Sequence, residues 1–302
     1  MSDDKSEART DEFGNCAVIT PHRGKRPEDF ATERRMKTTL PSKCYFCPGN
    51  EKLTPPEIDR TEKNGKWEVR CFPNKFAAFR KDCPKAYGRH EIIVETPNHY
   101  KTISELDGEN ILHYLQMVGK RVKSAYSDKR IKYVQVFKNE GHEGGASLEH
   151  THTQLVGMPF VPEDFEAKRK YASGEKCALC KVKRNVFAQN SEFIAFVPHA
   201  ARFHFEFWIA PKKHSMKRLG EGQMKELADI LKVSLSKLDK LVNYPPYNIL
   251  FFAAPPNEKD FHFHLCITPR LAKWAGFEHA TGWVMNSVVP EEAAKALKNT
   301  KI

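Results

Sequence analysis

The sequence has 302 residues, of which 40% are hydrophobic and 11% aromatic, a composition typical of a globular protein with a sizeable core rather than of a disordered chain. Its formal net charge is +11, from 49 Lys and Arg residues against 38 Asp and Glu residues, and the basic residues are spread along the chain. We therefore expect a surface that attracts phosphate-bearing ligands and no dedicated nucleic-acid groove.

The sequence contains no targeting or membrane signal that we can identify. No apolar run approaches the length needed to span a bilayer, and the charged start MSDDKSEARTDEF lacks the apolar segment of a secretory signal. We expect a cytoplasmic protein that does not associate with membranes, with its eight cysteines outside any disulfide framework. Four cysteines are isolated and are expected to be small buried hydrophobic residues. They are Cys16, Cys71, Cys83 and Cys266.

Five elements recur in the same order in the two halves of the chain. Each half has a C-x-x-C pair, a strand that ends near a histidine, a helical stretch, a second strand, and an H-x-H that opens a third strand. The pattern predicts a duplicated α+β module, with a mainly antiparallel sheet and helices packed on it. The predicted divisions are a flexible N-terminus over 1–15, an N-terminal half over 16–162 and a C-terminal half over 163–302, with the polar segment Pro159 to Ala172 as the link.

Apolar stripes at three- and four-residue spacing support one helix in each half. The first helix is expected to start near Ser104, where Glu105 and Asp107 suit the positive end of its dipole. Its stripe comprises Ile111, Leu112, Leu115, Val118 and Val122. The stripe of the second helix comprises Leu227, Ile230, Leu231, Ser234, Leu238 and Leu241.

The repeated cysteines and histidines predict two zinc sites. A structural zinc ion binds four soft or borderline ligands in a tetrahedron, and a Cys2His2 set supplies them. The first predicted site is Cys44, Cys47, His99 and His150. The second is Cys177, Cys180, His214 and His262, for which iron is an alternative metal. The competing interpretation of each C-x-x-C is a pair of metal-free thiols.

The segment that leads into His150-Thr-His152-Thr-Gln154 concentrates the candidate chemistry. Because alternate side chains of a strand share a face, the two histidines and the glutamine should form a row. With His150 on the metal, His152 is free to attack phosphorus, and Gln154 can hydrogen-bond the phosphoryl oxygens. The alternative is that His152 is a further metal ligand and Gln154 a core residue. The second half reads His262-Phe-His264 without a glutamine, so we expect no active site there.

These motifs resemble the galactose-1-phosphate uridylyltransferase branch of the histidine triad superfamily, which includes ADP-glucose phosphorylase-like members. The resemblance covers nearly the whole chain and includes ITPHRGKRPEDF, CYFCPGNE, FKNEG…GASLEHTHTQ and CALC. It implies two histidine-triad-like modules, a homodimer, and a ping-pong reaction in which a nucleotide-sugar gives its nucleoside monophosphate to His152. It also implies substrate-binding roles for Arg23, Arg26, Asn74, Asn139 and Ser147.

Two departures from the uridylyltransferase pattern affect the choice of substrate. Thr151 stands where that pattern has proline, and Lys75 stands where well-studied members have an acidic residue after the nucleoside-site asparagine. The leading hypothesis is a hexose-1-phosphate uridylyltransferase. The first alternative is a phosphorylase that passes AMP from ADP-glucose or a dinucleoside polyphosphate to phosphate through the same histidine. A non-catalytic zinc-binding nucleic-acid protein is the second alternative.

Overall fold

The computed structural model describes residues 5–23, 37–175, 177–214, 219–258 and 260–302. In these ranges the strands are β1 Glu7–Thr10, β2 Cys16–Ile19, β3 Asp59–Lys63, β4 Lys66–Pro73, β5 Arg89–Val94, β6 Tyr133–Glu140, β7 His152–Met158, β8 Val186–Gln189, β9 Phe193–Phe196, β10 Phe207–Pro211, β11 Tyr247–Phe252, β12 His264–Pro269 and β13 Val284–Asn286. The α-helices are α1 Gly108–Ala125, α2 Glu163–Ala172, α3 Glu221–Val242, α4 Gly276–Thr281 and α5 Pro290–Asn299. None of these helices is both long and apolar enough to cross a membrane.

Ten strands form one sheet in the order β3-β4-β5-β7-β6-β11-β12-β10-β9-β8. From the middle of the sheet outwards, the N-terminal half contributes β6, β7, β5, β4 and β3, and the C-terminal half contributes β11, β12, β10, β9 and β8, so the two halves have the same strand order. All neighbouring strands pair antiparallel. The two halves meet where β6 pairs with β11, with Phe137 opposite Leu250. The predicted duplicated α+β module with a mainly antiparallel sheet is therefore confirmed.

The predicted helices correspond to α1 and α3, which pack against each other and against the sheet. The first helix begins later than the expected start near Ser104. A 3-10 turn occupies Ile103–Glu105, and α1 starts at Gly108 because the Asp107 carboxylate accepts a hydrogen bond from the backbone N–H of Asn110 at 2.8 Å. Most of the two stripes lie in the main core, with only Val122 and Leu241 at its margin.

The segment over Pro159 to Ala172, expected to be a polar link, contains the helix α2. Phe165 and Tyr171 are buried in a second core cluster with Trp208. Two aromatic residues give only a weak apolar stripe in the sequence, so periodicity does not predict this helix. It is stabilised by contacts with residues distant in the chain.

Residues 5–15, within the range expected to be flexible, are held against the C-terminal half. Strand β1 pairs with β2, which pairs in parallel with β13. Phe13 is buried and packs on Trp208 with ring centroids 4.8 Å apart. The Asp11 carboxylate accepts hydrogen bonds from the backbone N–H groups of Asn15 and Ala200. These contacts give the start of the described chain a defined position.

We expect Leu231→Ala to lower the free energy of unfolding by about 2–5 kcal/mol, because Leu231 is fully buried between α3 and the sheet and its truncation leaves a cavity. Urea denaturation followed by circular dichroism measures this change. Lys240→Ala, on the exposed side of the same helix, is the control and should change the value by less than about 0.5 kcal/mol. Equal effects of the two substitutions would contradict the position of α3.

Candidate functional site

The first cysteine and histidine cluster lies beside the start of β7. Cys44 and Cys47 come from the segment before β3, His99 follows β5, and His150 precedes β7. The Cys47 Sγ atom lies 3.3 Å from His99 Nδ1 and 3.4 Å from His150 Nδ1, and the four candidate ligand atoms all lie within 4.8 Å of one another. All four side chains are buried. This group could hold a metal ion.

The chemistry of these donors fits a bound cation. His150 Nε2 lies 2.8 Å from the carbonyl oxygen of Thr96, which can only accept, so Nε2 is the protonated nitrogen and Nδ1 presents its lone pair to the cluster. Burial lowers the pKa of His150 to about 4, which keeps the ring neutral. Burial and the neighbouring Cys44 raise the pKa of the Cys47 thiol to about 12, so two thiolates require a cation here.

The second cluster repeats this arrangement in the C-terminal half. Cys177, Cys180, His214 and His262 place their ligand atoms within 4.8 Å of one another. His262 Nε2 lies 2.8 Å from a backbone carbonyl, that of Pro211, as His150 does in the first half. His214 Nε2 faces the Asp260 carboxylate. This cluster is more open than the first, because Cys180 is exposed.

His152 opens β7 and is buried. Its Nδ1 lies 2.8 Å from the carbonyl oxygen of His150, so Nδ1 carries the ring proton and Nε2 carries the lone pair. Burial lowers the pKa of His152, which favours the neutral ring. The Phe46 ring packs on the imidazole edge to face, with centroids 5.2 Å apart. A neutral, oriented imidazole is suited to attack on phosphorus.

Gln154 lies two residues further along the same face of β7 and belongs to a chain of polar contacts. His90 Nδ1 accepts a hydrogen bond from the backbone N–H of Ala78, so His90 Nε2 donates to Gln154 Oε1 at 2.8 Å. Asn74 Nδ2 lies 3.1 Å from the same His90 nitrogen. Asn74 and Gln154 thus both face the Nε2 atom of His90, and Gln154 belongs to the row that begins with His152.

A glycine-rich loop joins β6 to β7. Asn139 lies near the end of β6, just before the loop, and Ser147 lies in the second half of the loop. A Cβ atom at Gly144 would lie 2.2 Å from the carbonyl oxygen of Glu140, so only glycine fits there. Asn248 of the C-terminal half donates hydrogen bonds to Asn139 Oδ1 at 2.9 Å and to the Gly144 carbonyl at 2.6 Å. The Ser147 side chain is exposed. The loop is held at its base and presents polar groups at its surface.

Of the two predicted arginines, only Arg23 lies within the described residues, and it is not part of this cluster. Arg23 is exposed at the end of the 3-10 turn Pro21–Arg23, with its guanidinium Nη1 3.0 Å from the sulfur of Met285 on β13. That places it at the three-stranded sheet. Arg26 lies outside the described residues.

In the C-terminal half, aromatic rings surround the position equivalent to the reactive row. His264 Nδ1 lies 2.9 Å from the carbonyl oxygen of His262, the same local bond that His152 makes. Its Nε2, however, lies 3.3 Å from the buried hydroxyl of Tyr171, and its ring stacks with Trp208 and Phe252. Cys266 occupies the position of the glutamine. This half retains the candidate metal ligands without a comparable reactive row.

Several contact residues were not singled out from the sequence. They are His90, which contacts Gln154, and Phe46, inside the first C-x-x-C, which packs on His152. His90 contacts Gln154 because the register of β5 against β7 places it opposite Val156, two residues from Gln154, and that register cannot be read from the sequence of either strand alone. The carbonyl oxygens of Thr96 and Pro211 carry no side-chain signal at all.

Comparisons with known proteins agree with this geometry. A family model described as galactose-1-phosphate uridyl transferase, N-terminal domain, matches residues 82–162. The chain is 32% identical to the ADP-glucose phosphorylase of Arabidopsis thaliana, over 98% of this chain and 93% of that protein. It is also 32% identical to the galactose-1-phosphate uridylyltransferase of Thermotoga maritima, over 90% of this chain and 94% of that protein.

Solved structures agree with the sequence relatives. The crystal structure of the Arabidopsis thaliana ADP-glucose phosphorylase with bound ADP-glucose superposes with a TM-score of 0.86 at 30% identity, covering 99% of this chain and 100% of that chain. A uridylyltransferase structure superposes with a TM-score of 0.74 at 24% identity and shows the shared fold. The chain therefore belongs to the galactose-1-phosphate uridylyltransferase branch of the histidine triad superfamily, and it is a nucleotidyltransferase.

Proposed function

We propose that this chain transfers a nucleoside monophosphate from a nucleoside-diphosphate hexose to a phosphate-bearing acceptor, with His152 as the covalent carrier. The observation that carries the proposal is the fixed tautomer of His152, whose Nδ1 proton is engaged by the His150 carbonyl at 2.8 Å. The neutral ring therefore presents its nucleophilic lone pair at Nε2.

The reaction consists of two substitutions at the same phosphorus atom. In the first, the Nε2 lone pair of His152 attacks the α-phosphorus of the donor, the Nε2–P bond forms, and the bond from phosphorus to the bridging oxygen breaks. The hexose 1-phosphate leaves with the electron pair of that bond. In the second, a phosphate oxygen of the acceptor attacks phosphorus and the Nε2–P bond breaks, which returns neutral His152.

Gln154 and the glycine-rich loop are the proposed phosphate-binding elements. The Oε1 atom of Gln154 accepts from His90, which leaves its amide N–H groups free to donate to the phosphoryl oxygens as their charge redistributes. The loop adds the exposed hydroxyl of Ser147, with Asn139 at its base. Arg23 and Arg26 remain predicted phosphate contacts, and Asn74 a predicted nucleoside contact.

We also propose that the two cysteine and histidine clusters bind zinc, with about two ions per chain, and that iron is the alternative in the more open second site. A bound ion would act structurally, by tying the segment before β3 to the start of β7. Holding His150 in this way fixes the carbonyl that orients His152.

Two donor classes fit this site. Uridylyl transfer to a hexose 1-phosphate is supported by the family model and by the match to the Thermotoga maritima uridylyltransferase. Adenylyl transfer to phosphate is the second candidate, and two observations favour it. Lys75 follows Asn74 where the uridylyltransferase pattern has an acidic residue, and the solved relative at 30% identity holds ADP-glucose.

Incubation with a donor but without an acceptor should add one nucleoside monophosphate to His152. Intact-mass measurement in separate reactions with UDP-glucose and ADP-glucose, followed by peptide mapping, identifies the base and the residue. His152→Ala should abolish the adduct and leave metal content unchanged. His279→Ala, an exposed histidine on α4 that has no part in the proposed site, is the matched control and should keep the wild-type rate.

The outcomes separate the hypotheses. A uridylyl adduct supports the uridylyltransferase, and an adenylyl adduct supports the phosphorylase. An adduct on another residue would contradict the role of His152, and no adduct with either donor would favour a non-catalytic protein. Loss of metal in His152→Ala would mean that the ligand and nucleophile assignments are exchanged.

Metal analysis of cysteine variants tests the two sites separately. We expect Cys44→Ser and Cys180→Ser each to remove about half of the bound metal, since each removes one of four ligands from a different cluster. Cys44→Ser should also lower thermal stability, because its cluster is buried. Cys83→Ser, outside both clusters, is the control. Full metal content in Cys44→Ser would refute the first site.

The homodimer and the cytoplasmic location stay predictions.

A further inference from the structure

A buried ionic network lies behind the reactive strand, on the side opposite His152. Its centre is the ammonium group of Lys138 on β6, which is fully buried and lies 3.0 Å from the Glu95 carboxylate, itself fully buried. The same ammonium group donates to the hydroxyl of Thr151 at 2.6 Å and lies 3.4 Å from the carbonyl oxygen of His152. Neither charge takes part in the chemistry proposed above.

The register of the three neighbouring strands explains why these side chains meet. Lys138 on β6 lies opposite Thr153 on β7, and Val94 on β5 lies opposite His152, so Glu95 follows at the level of Thr151. Because side chains alternate along β7, the threonines face away from the histidines. Both threonine hydroxyls donate to Glu95, at 2.6 Å and 2.5 Å.

The charged groups of the network are paired with one another. Burial alone would lower the pKa of Lys138, but the carboxylates of Glu95 and Glu140 outweigh it and the pKa is raised, so the lysine remains an ammonium ion. Glu140 lies 3.0 Å from the same ammonium group. A buried ion pair adds little net stability compared with apolar residues of the same volume, although losing one partner is costly. The main effect of the pair is therefore to constrain the positions of the residues that it contacts.

The residue that the pair holds is Thr151, which stands between the metal-cluster histidine and the candidate nucleophile. The uridylyltransferase pattern has proline here, whose ring fixes the backbone angle φ. Threonine has no such ring, and its backbone must be restrained by contacts. Lys138 and Glu95 supply them from behind the strand, at the side chain of Thr151 and at the carbonyl of His152.

We propose that the Glu95–Lys138 pair is a positioning device for His152, which acts through Thr151 in place of a proline. By fixing the backbone over 150–152, the pair holds the His150 carbonyl where it accepts the Nδ1 proton of His152, and so aims Nε2 at the substrate. This inference rests on the proposed function, because aim matters only if His152 reacts. Glu95, Lys138 and Thr151 are positioning residues and do not touch the substrate.

Thr151→Val tests the proposal, because valine keeps the shape of threonine and removes the hydroxyl that both charges contact. We expect the single-turnover rate of adduct formation at saturating donor to fall by about tenfold or more, with donor affinity changed by less than about twofold. Thr151→Ser keeps the hydroxyl and should restore most of the rate. Thr268→Val, a buried threonine on β12 remote from His152, is the matched control for stability.

A spectroscopic readout does not depend on activity. With 15N-labelled histidine, the His152 ring should show a single Nδ1–H tautomer in the wild type and in Thr151→Ser, and a mixture of tautomers in Thr151→Val. Unfolding temperatures of all variants are measured in parallel. If the wild type forms no adduct with either donor, the proposed function fails, and the tautomer measurement alone decides the positioning role.

Two results would overturn the proposal. One is a Thr151→Val protein that retains both the wild-type rate and the single tautomer while its unfolding temperature falls, which would make the network merely stabilising. The other is a Thr151→Ser protein as impaired as Thr151→Val, which would show that the hydroxyl contacts are not what positions His152.

Discussion

The two-residue period of a single strand organises the site. At the start of β7 the side chains of His152 and Gln154 point to one face of the sheet, and those of Thr151 and Thr153 point to the other. One face therefore meets the cysteine and histidine cluster, where Phe46 packs on His152, and the other meets the buried ion pair. A one-residue slip of β7 against β5 and β6 would exchange the two faces and dismantle both arrangements at once.

The duplication shows which parts of the module are scaffold and which are specific to one half. Both halves retain the strand order, two cysteines and two histidines, and the bond from the second histidine of H-x-H to the carbonyl of the first. They differ in what surrounds that second histidine. In the N-terminal half it lies beside a polar row that includes Gln154, whereas in the C-terminal half Tyr171 and Trp208 enclose it.

Patterns that repeat or alternate could be interpreted from the sequence. The order of C-x-x-C, histidine and H-x-H predicted the two clusters that could hold a metal ion, and the apolar stripes predicted α1 and α3. The predicted start of α1 near Ser104 was too early, because the chain first forms a 3-10 turn there and α1 begins only after Asp107, which caps it. The helix α2 was missed because its stability comes from partners far along the chain.

The buried charges were beyond sequence reasoning for a different reason. A lysine in the strand YVQVFKNE or a glutamate after EIIV reads as solvent-exposed unless its partner is known, since charged residues are rarely buried alone. Lys138 and Glu95 become interpretable only when the register of β5, β7 and β6 brings them to 3.0 Å. The same holds for His90 and Gln154, whose contact joins two strands.

The Cys–His contacts also bear on the order in which the chain folds. Cys44 meets His150 across 106 residues and Cys177 meets His262 across 85, so each cluster closes a long loop. Closing such loops early is entropically unfavourable, and β5 and β7 must pair before the ligands of the first half converge. The clusters would then be completed late in folding, and a cation that enters at that stage secures a sheet already assembled rather than nucleating it. We expect such a late contact to slow unfolding more than it speeds folding.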